Sequence, residues 1–364
     1  MTLNLDLLKR LSETPGVPGR EDRLREVVIA TLRPLVDEIQ VDIMGNVIGV
    51  RRGRGQRRVM LAGHMDEIGF LVRHIDDRGF LRLQPVGGFD PRVLFAQRVL
   101  VEDRTGALLR GVLWPAAKPV HVATEEERNR VPKLEDYFVD LGLPAQTVKE
   151  RVEVGAMVTL DRTMEQVGDC LSGKAMDDRV GLFVMLEALK ALRHHEADII
   201  AVATVQEEVG LRGALTAAYE WEPQIGIALD ITLALDVPGA GDTETITRLG
   251  QGVAIKLMDS SHISHRRLVE HLRQIAEREK IPYQLEILPR GGTDAGAIQR
   301  SRGGVAAVTL SVPTRYVHTV NEMVHPRDLE AAITLLARYL EEAHQTDLGA
   351  TRIVSRRFRW YTDG

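Results

Sequence analysis

The chain has 364 residues, 44% hydrophobic and 27% charged, with a formal net charge of −5. That length exceeds what one hydrophobic core usually holds, so a large domain with a smaller companion is expected. No concentrated basic surface points to nucleic acid and no apolar run reaches membrane-spanning length, so neither nucleic acid nor membrane is expected as a partner.

Residues 4 to 13 and 20 to 33 carry apolar positions at helical spacing, separated by Pro15-Gly16 and Pro18-Gly19, and predict two opening helices. The pattern turns short and β-branched over residues 38 to 49 and again over 58 to 62, where the second run stops at Gly63-His64-Met65-Asp66. From about residue 70 to 165 short alternating strands broken by Gly and Pro take over, such as Phe80-Leu81-Arg82-Leu83 and Val99-Leu100-Val101-Glu102, with a charged stretch at 124 to 130. This segment predicts an inserted small all-β domain. After residue 170, helices at 178 to 193, 211 to 219, 264 to 279 and 326 to 343 alternate with strands at 198 to 204, 225 to 230, 283 to 288 and 305 to 310. The predicted class is therefore α/β, a mixed sheet covered by helices on both faces. The larger domain is discontinuous, residues 1–69 with 166–364, around an insertion at 70–165.

Cys170 is the single cysteine, which excludes an intramolecular disulfide and a thiolate metal cluster. It reads as a small hydrophobe rather than a nucleophile. The opening residues lack a basic segment followed by an apolar stretch and a cleavage site, so a cytoplasmic protein is expected. The basic tail Arg356-Arg357-Phe358-Arg359-Trp360 reads as a solvated terminus.

The chemistry-bearing residues stand at the ends of apolar runs. At a strand end residues i and i+2 point the same way, so Asp66 can stand beside His64 as carboxylates do beside metal-bound imidazoles. Alone, such a triplet is more often surface chemistry. Asp177 and Asp178 immediately precede an apolar helix beginning near Val180, where Asp is also favoured by capping and by the helix dipole. Glu207 and Glu208 follow the apolar run Ile199-Ile200-Ala201-Val202-Ala203; they are costly to bury unless something positive meets them, although a solvated loop also accommodates such a pair. Asp230 ends the run Ile225-Gly226-Ile227-Ala228-Leu229, and ligands usually bind at the carboxyl edge of an α/β sheet. His318 follows the strand at 305 to 310, and a Gly-rich stretch at 291 to 296 precedes that strand. Each residue has an ordinary explanation singly, but their coincidence on one sheet edge does not. Two histidines and three carboxylates suit Zn²⁺, Co²⁺ or Mn²⁺, and one shared carboxylate would let them hold two metals.

In sequence order, His64-Met65-Asp66, Asp177-Asp178-Arg179, Gln206-Glu207-Glu208-Val209-Gly210-Leu211-Arg212-Gly213, Leu229-Asp230, Gly291-Gly292-Thr293-Asp294-Ala295 and Arg315-Tyr316-Val317-His318 resemble the M42 family of metallo-aminopeptidases, over about residues 5 to 345. That family includes glutamyl, leucyl and deblocking enzymes, many assembled as hollow tetrahedral dodecamers, and has often been described as endoglucanase. The resemblance implies a zinc-peptidase type of catalytic domain, a β insertion used for dimerisation, and removal of N-terminal residues from short peptides. It implies His64, Asp177 and Asp230 as ligands of one metal and Asp177, Glu208 and His318 as ligands of the other, with Asp177 bridging. The expected cofactors are two divalent ions per subunit, Zn or Co, with Mn compatible. Glu207 resembles the family's general base on a metal-bound hydroxide, Asp66 the residue that orients His64, and Gly292, Thr293 and Asp294 a segment lining the substrate site. A homo-oligomer built from dimers, up to a dodecamer, is implied as well. The rival activities are an N-acyl amino acid deacylase with the same metals and a glycosidase using Glu207 and Glu208 as its carboxylate pair, a pairing disfavoured because adjacent strand side chains diverge. An inactive scaffold is the remaining alternative.

Overall fold

A computed structural model describes residues 2–349, so the basic tail at residues 356–360 lies outside the described residues. The opening helices form at Leu5–Glu13, capped by the Asn4 side chain, and at Asp22–Leu32. Eleven strands build one mixed sheet. Its centre is four parallel strands in the order Asp198–Thr204, Arg58–His64, Ile225–Leu233 and Ala306–Arg315. On one side Val47–Arg51 and then Glu38–Val41 continue it antiparallel. On the other side Ala306–Arg315 forks. It pairs with Val253–Met258, which runs parallel to Tyr283–Ile287, and with the short strand Glu322–Val324, which leads on to Cys170–Gly173 and Glu165–Val167.

Successive strand residues point to opposite faces, so each central strand feeds two cores. Val59 and Leu61 enter the core shared with Leu8, Leu24, Phe183 and Leu336. Met60 and Ala62 enter the core shared with Ala214, Ala217 and Ile298, which come from the helices Arg212–Trp221 and Asp294–Gln299. The sheet is thus covered on both faces. The helix Met176–Ala191 is buried from Met176 through Leu189, lying between the sheet and the helices Leu5–Glu13 and Pro326–Glu342. That position requires an apolar surface all round, which its sequence supplies.

Six antiparallel strands close a separate small barrel in the order Gly69–Ile75, Leu81–Val86, Tyr137–Asp140, Leu108–Pro115, Gln97–Glu102 and Met157–Leu160. Its interior is filled by Phe70, Leu81, Val99, Leu113 and Val139 among others. The charged stretch at 124 to 130 contains a short helix, Glu125–Asn129, started by a capping box between Thr124 and Glu127. Among the described residues no helix is long and apolar enough to cross a membrane.

Candidate active site

Parallel central strands deliver their carboxyl ends to one edge, and the chemistry-bearing residues gather there. Arg58–His64 ends on His64; Asp198–Thr204 leads to Glu207 and Glu208; Ile225–Leu233 carries Asp230; and Ala306–Arg315 leads to His318. Asp177 follows the outer strand Cys170–Gly173, at the start of the helix Met176–Ala191. The backbone at Asp177 and Asp178 is non-helical and the peptide between them is cis. Asp178 accepts the Gly181 N–H at 2.9 Å, a capping bond, whereas Asp177 faces the cavity. The two adjacent aspartates therefore divide the roles that the sequence left open.

His64 is 2% exposed, and its Nε2 lies 3.1 Å from Asp177 Oδ1 and 3.8 Å from Glu207 Oε2. His318 Nε2 lies 3.4 Å from both Asp177 Oδ2 and Glu208 Oε1. Three sets of donor atoms lie close enough to share an ion: His64, Asp177 and Asp230; His64, Glu207 and Glu208; and Asp177, Glu208 and His318. All donors are oxygen or nitrogen, the set that divalent zinc, cobalt or manganese accepts.

The electrostatics call for added positive charge. Burial, with Asp177 adding, pushes the Asp230 carboxyl well above the usual carboxylate range. Burial likewise raises Glu207, opposed by His64 and reinforced by Asp230, Asp294 and Glu208. Burial alone would lower the two imidazoles, but neighbouring carboxylates reverse this: Glu207 and Asp177 hold His64 well above its ordinary value, and Asp177 and Glu208 push His318 up to about 11. The cluster carries more carboxylates than its histidines can neutralise, so a divalent ion fits it on charge as well as on donor type.

Buried carboxylates hold the backbone of these residues. Asp66, fully buried, accepts the N–H groups of Glu207 and Glu208 at 3.0 Å each, one on each oxygen. Asp178 accepts the His64 N–H at 3.0 Å. Glu322 accepts the N–H groups of Asp177 and His318 at 3.1 and 2.7 Å. The His64 ring is oriented through Nδ1 by the backbone carbonyl of Asp66 at 2.8 Å; the Asp66 carboxylate stands 3.7 Å off, each of its oxygens accepting one of the glutamate N–H groups. Sequence reasoning did not single out Glu322 or the tie from Asp178. The signal available was a carboxylate within four residues of His64, Asp177 and His318, namely Asp66, Asp178 and Glu322.

The site opens into a cavity of about 760 Å³ lined by Ile231, Leu233, Leu288, Arg290, Gly292, Thr293 and Val317 beside the acidic cluster. Gly292 and Thr293 reach it, but Asp294 is turned beneath it. Its Oδ2 accepts the Thr204 hydroxyl at 2.6 Å and its Oδ1 has no hydrogen-bond partner among the described residues. The first turn of the helix Asp294–Gln299 aims that side chain at the sheet rather than at the opening. The barrel supplies part of the wall through Gly88, Phe89 and Asp90, with Phe89 stacked on Phe70 at 4.6 Å between ring centroids.

A mixed α/β sheet with histidines and carboxylates clustered at its carboxyl edge, under the loop of a six-stranded barrel, is the framework that comparison with known proteins places among the peptidases. The chain belongs to the M42 aminopeptidase family: the family model described as M42 glutamyl aminopeptidase matches residues 45–335. A putative aminopeptidase of Acetivibrio thermocellus is 39% identical over 91% of this chain and 96% of its own length. Among solved structures, an aminopeptidase of the archaeon Desulfurococcus kamchatkensis is 43% identical with a TM-score of 0.88, covering 93% of this chain and 94% of that one. The TET1 peptidase of Pyrococcus horikoshii, whose description states that it assembles into a tetrahedron or a large octahedral shell, is 34% identical with a TM-score of 0.83, over 93% of this chain and 99% of that one.

Proposed function

We propose that this chain removes N-terminal residues from short peptides at a centre of two divalent metal ions, zinc or cobalt with manganese also suited. The observation that carries the reading is the overlap of the donor sets, in which Asp177 belongs both with His64 and Asp230 and with Glu208 and His318. These are the two ligand groups we assign, with Asp177 bridging. Such ions polarise the scissile carbonyl and make water a nucleophile near neutral pH. Glu207 stands at the cavity with its carboxyl raised by burial, suited to take the proton from the attacking water and return it to the leaving amine. Asp66 fixes Glu207 and Glu208 relative to one another through their backbone. Gly292 and Thr293 line the cavity beside the cluster and are the residues we assign to substrate binding.

The fold is read as the zinc-peptidase type, with residues 1–69 and 166–364 as the catalytic domain and 70–165 as a dimerisation domain. By extension from the TET1 peptidase, which is found as a dodecamer, we assign this chain to dimer-based homo-oligomers, up to a dodecamer. A single cysteine suits the cytoplasm. Replacing Glu207 by Gln tests the central assignment. Metal content measured on the purified variant should stay at the wild-type level while kcat for a free-amine peptide substrate falls about 10²–10⁴-fold. Full activity in that variant would remove Glu207 from the role.

A further inference from the structure

The two proposed ligands Asp177 and His318 sit on backbone that regular secondary structure does not hold. Asp177 has φ −77° and ψ 107° at the start of a helix, and His318 has φ +61°, a left-handed conformation that residues with a Cβ seldom adopt. Tyr316, two residues earlier, is also left-handed. Something else must fix both segments, and the candidate is Glu322.

Glu322 opens the three-residue strand Glu322–Val324, which joins the segments carrying those two residues. It pairs on one side with Cys170–Gly173, whose chain runs on to Asp177, and on the other with Ala306–Arg315, whose chain runs on to His318. The Glu322 side chain is at the junction, 2% exposed, with one oxygen accepting the Asp177 N–H and the other the His318 N–H. Each proposed ligand therefore hangs from one oxygen of a single carboxylate.

We infer that Glu322 is a positioning residue that locks Asp177 and His318 in register, so that metal affinity at the Asp177, Glu208 and His318 group depends on its carboxylate. This rests on the two-metal reading above. Replacement by Gln keeps the volume but turns one acceptor oxygen into a donor NH₂ group, which must face one of the two N–H groups and lose that bond. Outer partners of metal ligands typically contribute about 10–100-fold to affinity.

The test is a titration of the metal-free protein with Co²⁺, followed by calorimetry and by the visible absorption of the bound ion. The wild type should take up two equivalents per chain. In E322Q the equivalent held by Asp177, Glu208 and His318 should bind about 10–100-fold more weakly, and the other, which meets Glu322 only through the bridging Asp177, should weaken less. Two equivalents bound at wild-type affinity would overturn the inference, as would equal weakening of both, which marks a merely structural residue. Amide hydrogen exchange on the unmodified metal-free chain gives a check that needs no variant. The Asp177 and His318 amides should be protected, and exchange as fast as in an exposed loop would contradict the tie. A wild type that takes up fewer than two equivalents overturns the two-metal reading itself, and this inference with it.

Discussion

Lys174 and Glu67, each 3% exposed at the side chain, form a buried ion pair below the site, with Nζ at 2.6–2.7 Å from both carboxylate oxygens. Arg179, fully buried, stands 3.6 Å from the same carboxylate and donates to the carbonyls of Leu11, Thr14 and Gly16, tying the N-terminal helix and the turn after it to the helix that carries Asp177. Removing one member of a buried pair leaves an uncompensated charge, a loss of about 3–5 kcal/mol. Here the two ends are unequal: Glu67→Leu strands two cations, whereas Lys174→Met leaves Glu67 still facing Arg179. Urea unfolding should show a loss in that range for Glu67→Leu and a smaller one for Lys174→Met. Equal losses would mean that Arg179 does not share the carboxylate.

Helix and sheet meet most closely where glycine allows it. A Cβ on Gly181 would lie 2.3 Å from Asp178 Oδ1 and 2.6 Å from the Leu229 carbonyl, and one on Gly63 would lie 3.2 Å from the Gly181 backbone. Gly181→Ala must push the helix Met176–Ala191 off the strand Ile225–Leu233, with a cost of about 1–3 kcal/mol for overpacking. Because the same shift moves Asp178 and its neighbour Asp177, we expect a lowered melting temperature together with reduced metal uptake; wild-type values of both would contradict the close approach.

The proposed ligands could be nominated because each stands beside an apolar run, while the opening helices announced themselves by period and the four central strands as short apolar runs. What the pattern missed had no local signal. Val253–Met258 is interrupted by Lys256, which is buried and paired with Glu286 on the adjoining strand at 3.0 Å. Glu322–Val324 and Cys170–Gly173 exist only through pairing. Glu322 meets Asp177 across 145 positions of sequence, through backbone N–H groups that carry no residue identity. Asp294 was read with its Gly-rich neighbours as substrate-lining, but a short helix begins there and turns its side chain onto Thr204.

At the scale of the whole molecule, the barrel's contribution to the cavity wall through Gly88, Phe89 and Asp90 means that the insertion shapes the opening over the acidic cluster. The central claim is that this opening admits a peptide N-terminus to a metal-dependent centre. Its most direct test is hydrolysis of paired free and N-acetylated aminoacyl p-nitroanilides, with carboxymethyl cellulose alongside, before and after chelation and with Zn²⁺ or Co²⁺ restored. We predict cleavage of the free-amine substrates alone, lost on chelation and regained with metal. Preferential cleavage of the acetylated substrates would point instead to a deacylase, and chelator-resistant sugar release with inert peptides would contradict the account.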